Sequence, residues 1–536
     1  GTEVRATLRN SLTVPLTVYG FGERRGLTDS VIIAPGEVKP VHFLATTPGT
    51  YFYAGKTIPG PVVARLNDDS QLNGAIIVDA AGASPAPPDR VFLISWWYTL
   101  DSTSASGLGH GTMSINGRSW PHTERLSVTQ GDSAHWRVIN LTGQDHPMHL
   151  HGVYFAVDAK GDGTRDTAYS ADERRLAVTE VVDPGKTMAL SWSPKRPGNW
   201  VFHCHYAGHI SYLTSLETER GVRAPMAPHD AHAATAQHRM SGLVMGINVK
   251  AREGVVRSTR APRPIRLLVQ SKPGVYGAYP GYGYAIDDGG RASDSLTVPG
   301  PALVLERDQP VAVTIVNKSH EPAAVHWHGI ELESYPDGVP GWSGQRRFLR
   351  GQILPSIPVG DSLTVRFTPP RAGTFMYHSH FNEMDQISSG AYGPIIVLEP
   401  GQHFDKDTDR IFMFSEGGPT TNVIAGPFPP HFLNGKAKPD PINLRAGKTY
   451  RFRMIAITSD IFEEVALLDD ASPVEWRLVA KDGADTRANQ RTMRPAKLRF
   501  DPGEIYDFEF TPRTPGNLKL IFGADTARTT VAVRVQ

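Results

Sequence analysis

Apolar and polar residues alternate along short stretches of the chain, and one such stretch recurs four times between two glycines. The alternation has the period of two that is typical of half-buried β-strands, and turn residues bound each copy. The copies are GEVKPVHFLATTPG at 36–49, GKTMALSWSPKRPG at 185–198, GDSLTVRFTPPRAG at 360–373 and GEIYDFEFTPRTPG at 503–516. A pattern repeated at this scale indicates duplicated domains, each a β-sandwich or β-barrel.

A second repeated pattern has the same register. Asn10, Asn140 and Asn317 each end a predicted strand, and a motif that closes with glycine begins nine residues later. The three motifs are YGFG at 19–22, HLHG at 149–152 and HWHG at 326–329, and a fourth copy is weaker. Together the two patterns predict an all-β chain.

The offsets between the copies predict four domains, at 1–88, 89–260, 261–405 and 406–536. The length of 536 residues agrees with three or four domains. The first domain is short at its beginning, so we expect that N-terminal sequence is missing.

Composition narrows the class of protein. Apolar residues make up 40% and charged residues 20%, so each domain can bury a core and the chain is not disordered. The net charge is +1 without a polybasic run, which argues against nucleic acid as a partner. The longest apolar stretch, 91–100, is too short to span a bilayer. One cysteine excludes an intrachain disulfide, while the histidines number 20.

Many of these histidines stand in His-x-His pairs at matching positions of the repeat, and only in the two middle domains. The pairs are His149 with His151, His203 with His205, His326 with His328, and His378 with His380. Residues i and i+2 of a strand face the same side, so each pair directs two imidazoles at one point. Imidazole suits copper, zinc, iron and nickel.

The single cysteine decides between these metals. Cys204 lies between His203 and His205, His209 follows five residues later, and His146 precedes His149. One thiolate with two imidazoles is the ligand set of a blue-copper electron-transfer site. Because two histidines flank Cys204, one strand can join two metal centres.

These four motifs resemble those of the multicopper oxidases, the laccase-like family. HPMHLHG at 146–152 and HCHYAGH at 203–209 are similar to the motifs of that family's last domain. HWHG at 326–329 and HSH at 378–380 are similar to the motifs of its first domain. The resemblance implies tandem cupredoxin-like Greek-key domains and covers nearly the whole chain, although the outer domains match only through the repeat.

The resemblance also implies about four copper ions per chain, with a defined role for each ligand. The type 1 copper would be bound by His146, Cys204 and His209, and the type 2 copper by His149 and His326. The type 3 pair would be bound by His151, His203, His205, His328, His378 and His380.

The activity implied is the one-electron oxidation of phenolic or similar donors, coupled through Cys204 to the reduction of dioxygen to water. Asp337 resembles the acidic residue that delivers protons to the cluster in this family. Glu383 is a second candidate proton relay, although we expect a surface carboxylate there. Asp145, beside His146, is a weaker candidate for contact with the donor.

Two features depart from the family pattern. The domain with the cysteine precedes the HWHG domain, so the order is permuted, and a trinuclear site within one chain or between two chains stays open. The position ten residues after Cys204 holds Thr214, with Leu213 before it, so we expect no thioether axial ligand and a moderately high reduction potential of the type 1 copper.

The composition of the segment 216–240 predicts a surface loop.

Two alternatives remain beside the laccase-like function. One is a metallo-oxidase acting on Cu(I), Fe(II) or Mn(II), which an acidic or Met-rich patch near the type 1 site would favour. The other is a copper-binding electron-transfer protein without catalysis. We expect a periplasmic or secreted protein whose signal sequence has been removed, and a homo-oligomer stays open.

Overall fold

Strands form nearly all of the regular structure in the computed structural model, and they pair in four successive groups along the chain. We call these groups the first, second, third and fourth units, at residues 2–78, 90–250, 263–398 and 409–535. The structure describes residues 1–22, 29–65, 67–83, 89–99, 110–210, 240–252, 260–287, 289, 296–345, 352–419, 429–524 and 527–536. Each unit contains two sheets, so the prediction of an all-β chain of β-sandwiches is confirmed.

The first unit consists of β1 (Thr2–Arg9), β2 (Leu16–Tyr19), β3 (Ser30–Ile33), β4 (Val38–Ala45), β5 (Gly49–Lys56) and β6 (Asn73–Val78). Strands β1 and β4 form one sheet, and the other has the order β3-β2-β5-β6. Phe52 of β5 packs with Leu93, Ile139 and Leu141 of the second unit, which joins the two units through a small apolar cluster.

The second unit consists of β7 (Arg90–Thr99), β8 (His110–Ile115), β9 (Arg125–Thr129), β10 (Ala134–Asn140), β11 (His146–Leu150), β12 (Phe155–Gly161), β13 (Asp166–Ala168), β14 (Leu176–Ala177), β15 (Thr179–Val182), β16 (Thr187–Trp192), β17 (Gly198–Cys204) and β18 (Val244–Lys250). One sheet has the order β13-β12-β16-β10-β7-β8, and β14 pairs with β12. The other has the order β15-β11-β17-β18-β9. Alternate residues of β10 and β16, among them Trp136, Val138 and Leu190, fill the core between the sheets.

The third unit consists of β19 (Arg263–Tyr276), β20 (Tyr279–Ile286), β21 (Leu303–Glu306), β22 (Val311–Lys318), β23 (Val325–His328), β24 (Ser362–Phe367), β25 (Gly373–Ser379), the helix α1 (Glu383–Ser388) and β26 (Tyr392–Leu398). Its sheets have the orders β20-β19-β22-β24 and β21-β26-β25-β23. No helix in the described part of the chain is long and apolar enough to cross a bilayer.

The fourth unit consists of β27 (Asp409–Glu416), β28 (His431–Leu433), β29 (Ile442–Leu444), β30 (Tyr450–Ala456), β31 (Glu463–Asp469), β32 (Ser472–Pro473), β33 (Glu475–Lys481), β34 (Ala484–Asp485), β35 (Met493–Pro495), β36 (Lys497–Phe500), β37 (Ile505–Phe510), β38 (Gly516–Ala524) and β39 (Ala527–Val535). One sheet has the order β28-β27-β30-β37-β33-β34, and β35 pairs with β33. The other has the order β29-β39-β38-β31-β32, and β36 pairs with β31. Buried residues of the third and fourth units, among them Met376, Tyr392, Met413 and Ile455, form a shared apolar cluster.

The glycine repeat marks the same turn in every unit. Strands β4, β16, β24 and β37 begin two residues after the first glycine, and β5, β17, β25 and β38 begin at the second. The first glycine of each copy has a φ between 69° and 87°, the left-handed region that glycine tolerates best. The repeat therefore spans equivalent strands in every unit, and the chain passes from one sheet to the other between them.

The repeated asparagine has an equally consistent role, which the spacing alone does not explain. The Nδ2 of Asn140 donates to the carbonyls of Gln144 (2.7 Å) and Val182 (2.8 Å), and its Oδ1 accepts from the amide of Thr142 (2.9 Å). Asn10 and Asn317 make the corresponding three bonds in their own units. Each buried side chain thus ties the loop after its strand to the opposite sheet.

Candidate metal centres

Two pairs of antiparallel strands bring the predicted ligands together. In the second unit β11 pairs with β17, so that His149 lies opposite His203 and Met148 opposite Cys204. In the third unit β23 pairs with β25, with His326 opposite His378. The two pairs face each other, and one chain therefore supplies every histidine of the predicted cluster.

The first centre is formed by His146, Cys204 and His209, all of which are buried. The Nδ1 atoms of the two histidines are 3.1 Å apart, and Sγ of Cys204 lies 3.7 Å from Nδ1 of His146 and 3.4 Å from Nδ1 of His209. A thiol and two imidazoles therefore converge on one point, as the sequence predicts.

Two polar side chains orient these imidazoles. The Nε2 of His146 donates to Oγ1 of Thr142 (2.7 Å), whose own hydroxyl donates to Oδ1 of Asn140 (2.9 Å). The Nε2 of His209 donates to Oε1 of Gln144 (2.7 Å). With a proton on each Nε2, the lone pair of each Nδ1 is directed at the cysteine sulfur.

Burial also sets the protonation of this centre. It lowers the pKa of His209 to about 3 and places that of His146 well below its usual range, so both rings are neutral ligands at neutral pH. Burial raises the pKa of the Cys204 thiol, so a bound cation would have to displace its proton.

The second centre is a cluster of eight buried imidazoles, four from each of two units. Three sets have ligand atoms that lie within 4.8 Å of one another: His149, His151 and His203; His149, His326 and His328; and His205, His328 and His378. The Nε2 atoms of His149 and His326 are 3.4 Å apart, and the rings of His203 and His380 lie 5.7 Å apart. All eight predicted histidines are therefore brought together.

Oxygen acceptors around the cluster fix which nitrogen of each ring faces inward. Six rings donate from an outer nitrogen: His149 to the Val178 carbonyl, His151 to the Asp337 carboxylate, His203 to the Cys204 carbonyl, His326 to the Asp337 carbonyl, His328 to the Gly503 carbonyl and His378 to the Ser379 carbonyl. In five of these the donor is Nδ1, which leaves Nε2 for the cluster, whereas His328 donates from Nε2 and presents Nδ1.

The inward nitrogens fit a set of metal ions. Nε2 of His205, His378 and His380 and Nδ1 of His328 are buried without a hydrogen-bond partner in the described structure. Buried polar atoms normally have a partner, so these four lone pairs indicate positions that ligands to a cation would occupy. Burial lowers the pKa of His203 and His378 to about 4, so both rings are neutral.

Asp337 lies at the junction of the two units. Its Oδ2 accepts from Nδ1 of His151 (2.8 Å) and from the hydroxyl of Ser343 (3.3 Å), and its Oδ1 lies 3.5 Å from Nδ1 of His326. Burial raises the pKa of this carboxyl to about 8. Asp337 also ends a short 3-10 turn before Gly338, so it is both a turn residue and a neighbour of the cluster.

Glu383 is not the surface carboxylate that we expected. Its side chain is 10% exposed, and Oε1 lies 2.9 Å from Nδ1 of His380. The residue begins α1, directly after the strand that carries His378, so the chain turns back toward the cluster. Burial disfavours protonation of His380, but the carboxylate of Glu383 outweighs it, and the pKa of His380 lies above its usual value.

Carboxylates near the first centre are engaged by other groups. Asp145 accepts from Arg499 (2.6 Å), Asp460 accepts from the amide of Gly208 (2.7 Å), and Asp501 accepts from the hydroxyl of Tyr206 (2.7 Å). Asp145 therefore forms an ion pair with the fourth unit. The positions of Leu213 and Thr214 and the segment 216–239 lie outside the described residues.

Comparisons with known proteins find one family in both ligand-bearing units. Residues 97–217 and residues 295–402 each match a family described as multicopper oxidase. Laccase-2 of Fomitopsis schrenkii is 26% identical over 41% of this chain and 42% of that protein, and Laccase-2 of Botryotinia fuckeliana is 36% identical over 22% and 19%. The chain thus spans less than half the length of these curated relatives.

Among solved structures, the blue copper oxidase from Nitrosomonas europaea matches 51% of this chain and 86% of its own, with 22% identity and a TM-score of 0.41.

Proposed function

We propose that this chain, two units of which match the multicopper oxidase family, is a laccase-like oxidase that couples one-electron oxidation of a phenolic or similar donor to the four-electron reduction of dioxygen to water. The observation that carries this proposal is the position of Cys204. It lies in the first centre, while its neighbours His203 and His205 extend into the second. A donor site and an oxygen site are thereby joined by a few covalent bonds.

We assign the ligands as follows. His146, Cys204 and His209 would hold a type 1 copper, and His149 and His326 a type 2 copper. The type 3 pair would be held by His151, His203 and His380 on one side and by His205, His328 and His378 on the other. When bound, copper would supply the one-electron oxidation of the donor and the reduction of dioxygen.

The donor side of the molecule is the edge of His209. This ring is 8% exposed, whereas His146 and Cys204 are fully buried, so a donor that approaches the first centre meets His209. The nearby carboxylates of Asp460 and Asp501 already accept hydrogen bonds from the protein. Among the described residues, this arrangement favours an organic donor over a metal ion that would need free carboxylates.

Two carboxyl groups are placed to handle protons at the oxygen side. Burial raises the pKa of Asp337 to about 8 in the copper-free protein, and Oδ1 has no hydrogen-bond partner in the described structure. Glu383 contacts His380, a different imidazole of the cluster. We propose Asp337 as the principal proton donor, with Glu383 as a second relay.

We also propose that the four units are separate domains, divided near 88, 260 and 405. The pairing of strands within each unit supports this division. Only the second and third domains would bind copper. A periplasmic or secreted location is proposed with the activity and can be tested by fractionation.

The test is substitution of the residue that joins the two centres. The copper-loaded protein should contain about four copper ions per chain and show a strong blue thiolate band. Cys204→Ser should remove that band and the oxidase activity while about three copper ions remain. A matched control, His122→Gln at an exposed histidine, should retain both.

Two results would contradict the proposal. A four-copper protein without the blue band would exclude Cys204 as a ligand. A wild-type protein that binds a single copper would instead be an electron-transfer protein. Oxygen uptake with a panel of phenols, Cu(I), Fe(II) and Mn(II) separates the laccase-like function from metal oxidation.

A further inference from the structure

The fourth unit supplies none of the ligands assigned above, yet it inserts a hairpin between the two units that supply them. Strands β33 and β34 pair through Lys481 and Ala484, which leaves the two-residue loop Asp482–Gly483. Both loop residues have positive φ, 50° and 77°, as an Asp-Gly turn of type I′ requires. The tip is closely packed, because a Cβ at Gly483 would overlap the ring of Phe375 in the third unit.

The carboxylate of this tip binds the backbone of the second unit. Oδ2 of Asp482 accepts from the amides of Val178 (2.9 Å) and Thr179 (3.1 Å), and Oδ1 accepts from the amide of Ile505 in its own unit (2.9 Å). The hydroxyl of Tyr154 donates to the backbone carbonyl of Asp482. Asp482 is fully buried, so water does not replace these bonds.

The two residues held by Asp482 are the outer partners of His149. The carbonyl of Val178 accepts from Nδ1 of His149 (2.9 Å), and Oγ1 of Thr179 lies 3.0 Å from the same nitrogen. The hydroxyl of Thr179 also lies 3.3 Å from Nε2 of His328. A shift of Asp482 would therefore move the groups that orient His149.

A second loop of the fourth unit contacts the cluster directly. The carbonyl of Gly503 lies 2.9 Å from Nε2 of His328. A carbonyl can only accept, so it fixes the proton on Nε2 and leaves Nδ1 of His328 for the cluster. The α-carbon of Gly503 lies against His205, since a Cβ there would be 2.6 Å from Cδ2 of that ring. With a φ of 87°, this position also favours glycine for conformational reasons.

We propose that the fourth unit is a positioning element of the trinuclear site, acting through Asp482 on His149 and through Gly503 on His205 and His328. This inference rests on the proposed function, because it concerns the copper cluster assigned above. It gives the ligand-free C-terminal unit a defined role in oxygen chemistry rather than a role as a spacer. Partners of metal-bound histidines typically contribute about 10- to 100-fold in metal affinity.

Two substitutions in the fourth unit test the proposal on the full copper-loaded chain. Gly503→Ala introduces a methyl group that displaces His205 or the carbonyl. Asp482→Asn replaces one acceptor oxygen by an amide donor that faces backbone N–H groups. Both should lower the affinity of the cluster copper about 10- to 100-fold against a competing chelator. Asp482→Asn should also alter the type 2 signal in electron paramagnetic resonance, because it acts on His149. The blue band of the type 1 site should persist.

The matched control is Gln490→Ala. Gln490 donates to the carbonyls of Asp172 (3.0 Å) and Glu173 (2.9 Å), so it joins the same two units away from the ligands. This variant should keep wild-type copper affinity and the wild-type type 2 signal. If it matched the effect of Asp482→Asn, general loosening of the interface would be the cause and the proposal would be overturned.

A pair of variants at Thr179 provides a second test if the fourth-unit variants fold poorly. Thr179→Val removes the hydroxyl near His149 and His328, and Thr179→Ser restores it. The valine variant should change the type 2 signal and the serine variant should rescue it; equal signals in both would overturn the proposal. Failure of the proposed function is distinguishable, because the wild type itself would then lack the cluster copper.

Discussion

At the scale of single residues, most of the proposed ligand imidazoles depend on a neighbour that accepts one N–H. Thr142 and Gln144 accept from the Nε2 atoms of the first centre, and Asp337 accepts from His151 in the second. Because a neutral imidazole has one N–H and one lone pair, an acceptor on one side determines which atom faces the metal. Burial lowers the pKa of most of these rings, so their lone pairs are available without displacement of a proton, whereas Glu383 raises the pKa of His380.

Asp337→Asn is the sharpest test of proton supply. Asparagine preserves the shape of the side chain and can accept from His151, but it cannot hold or release a proton. We expect oxygen reduction to slow about 100-fold, the lower end of the range for a positioned general acid. Since the blue-site ligands are untouched, the blue band should be unchanged. Stopped-flow reoxidation by dioxygen measures the rate, and wild-type turnover at neutral pH would argue against the role.

A second residue-scale prediction concerns Glu416, which lies away from the ligands in the fourth unit. Its Oε1 accepts from the amide of Ser459 (2.8 Å), while its buried Oε2 has no partner among the described residues. Burial, and next the charge of Asp460, raise the pKa of Glu416 from 4.5 to about 8. The folded state therefore holds this proton more tightly than the unfolded state.

The sign of the pH effect follows from this difference. The stabilisation by the neutral carboxyl is complete below about pH 4.5 and is lost as the pH rises toward 8. The Glu416→Gln variant has no titrating carboxyl at this position. Its free energy of unfolding relative to the wild type should therefore increase with pH, by at most about 1.4 kcal/mol per pH unit. Denaturant unfolding of the copper-free proteins measures it, and parallel profiles from pH 5 to pH 8 would contradict it.

At the scale of elements, the loop that follows the repeated asparagine links the fold to the metal centre in the second unit. Asn140 binds the loop that carries Thr142 and Gln144, and these two residues orient His146 and His209. In the first unit Asn10 binds its loop in the same way, but no ligand follows. The same set of asparagine hydrogen bonds thus supports a proposed metal centre in the second unit and only the fold in the first.

This contrast provides a matched pair of substitutions. Asn140→Ala and Asn10→Ala each leave buried loop groups unpaired and should each cost about 1 to 3 kcal/mol of stability. Only Asn140→Ala should also weaken binding of the type 1 copper, about 10-fold, because it frees the partners of both histidines. Titration of the blue band with a chelator measures this, and equal affinities in the two variants would contradict the link.

The sequence was sufficient to predict which side chains converge, but not the groups that orient them. A His-x-His pair on a strand has both rings on one side, so spacing alone predicted the cluster. Thr142 and Gln144 act only once the loop closes, and Glu383 approaches the cluster only because α1 turns the chain back. Asp482 and Gly503 come from a distant unit; the Asp-Gly dipeptide predicts a tight hairpin, but not what its tip contacts.

At the scale of the whole molecule, the cluster lies where three units meet. The second and third units supply the proposed ligands, and the fourth contacts both through Asp482, Gly503 and an apolar cluster that includes Met376 and Met413. The first unit contacts the second through Phe52 and its neighbours and supplies none of the assigned ligands. Copper should therefore stabilise the second, third and fourth units more than the first.

Removal of copper should therefore reduce local stability in some units and not in others. Ions that bind only the folded state stabilise it by mass action, and their ligands here belong to both sides of one interface. In hydrogen exchange, the copper-free protein should lose protection in β11, β17, β23 and β25 and also in the β33–β34 hairpin, because the Asp482 tip binds next to His149. Strands β1 to β6 should keep their protection, since they lie in the unit without ligands. Loss confined to the ligand strands, with residues 475–485 unchanged, would show that the fourth unit is not coupled to the cluster.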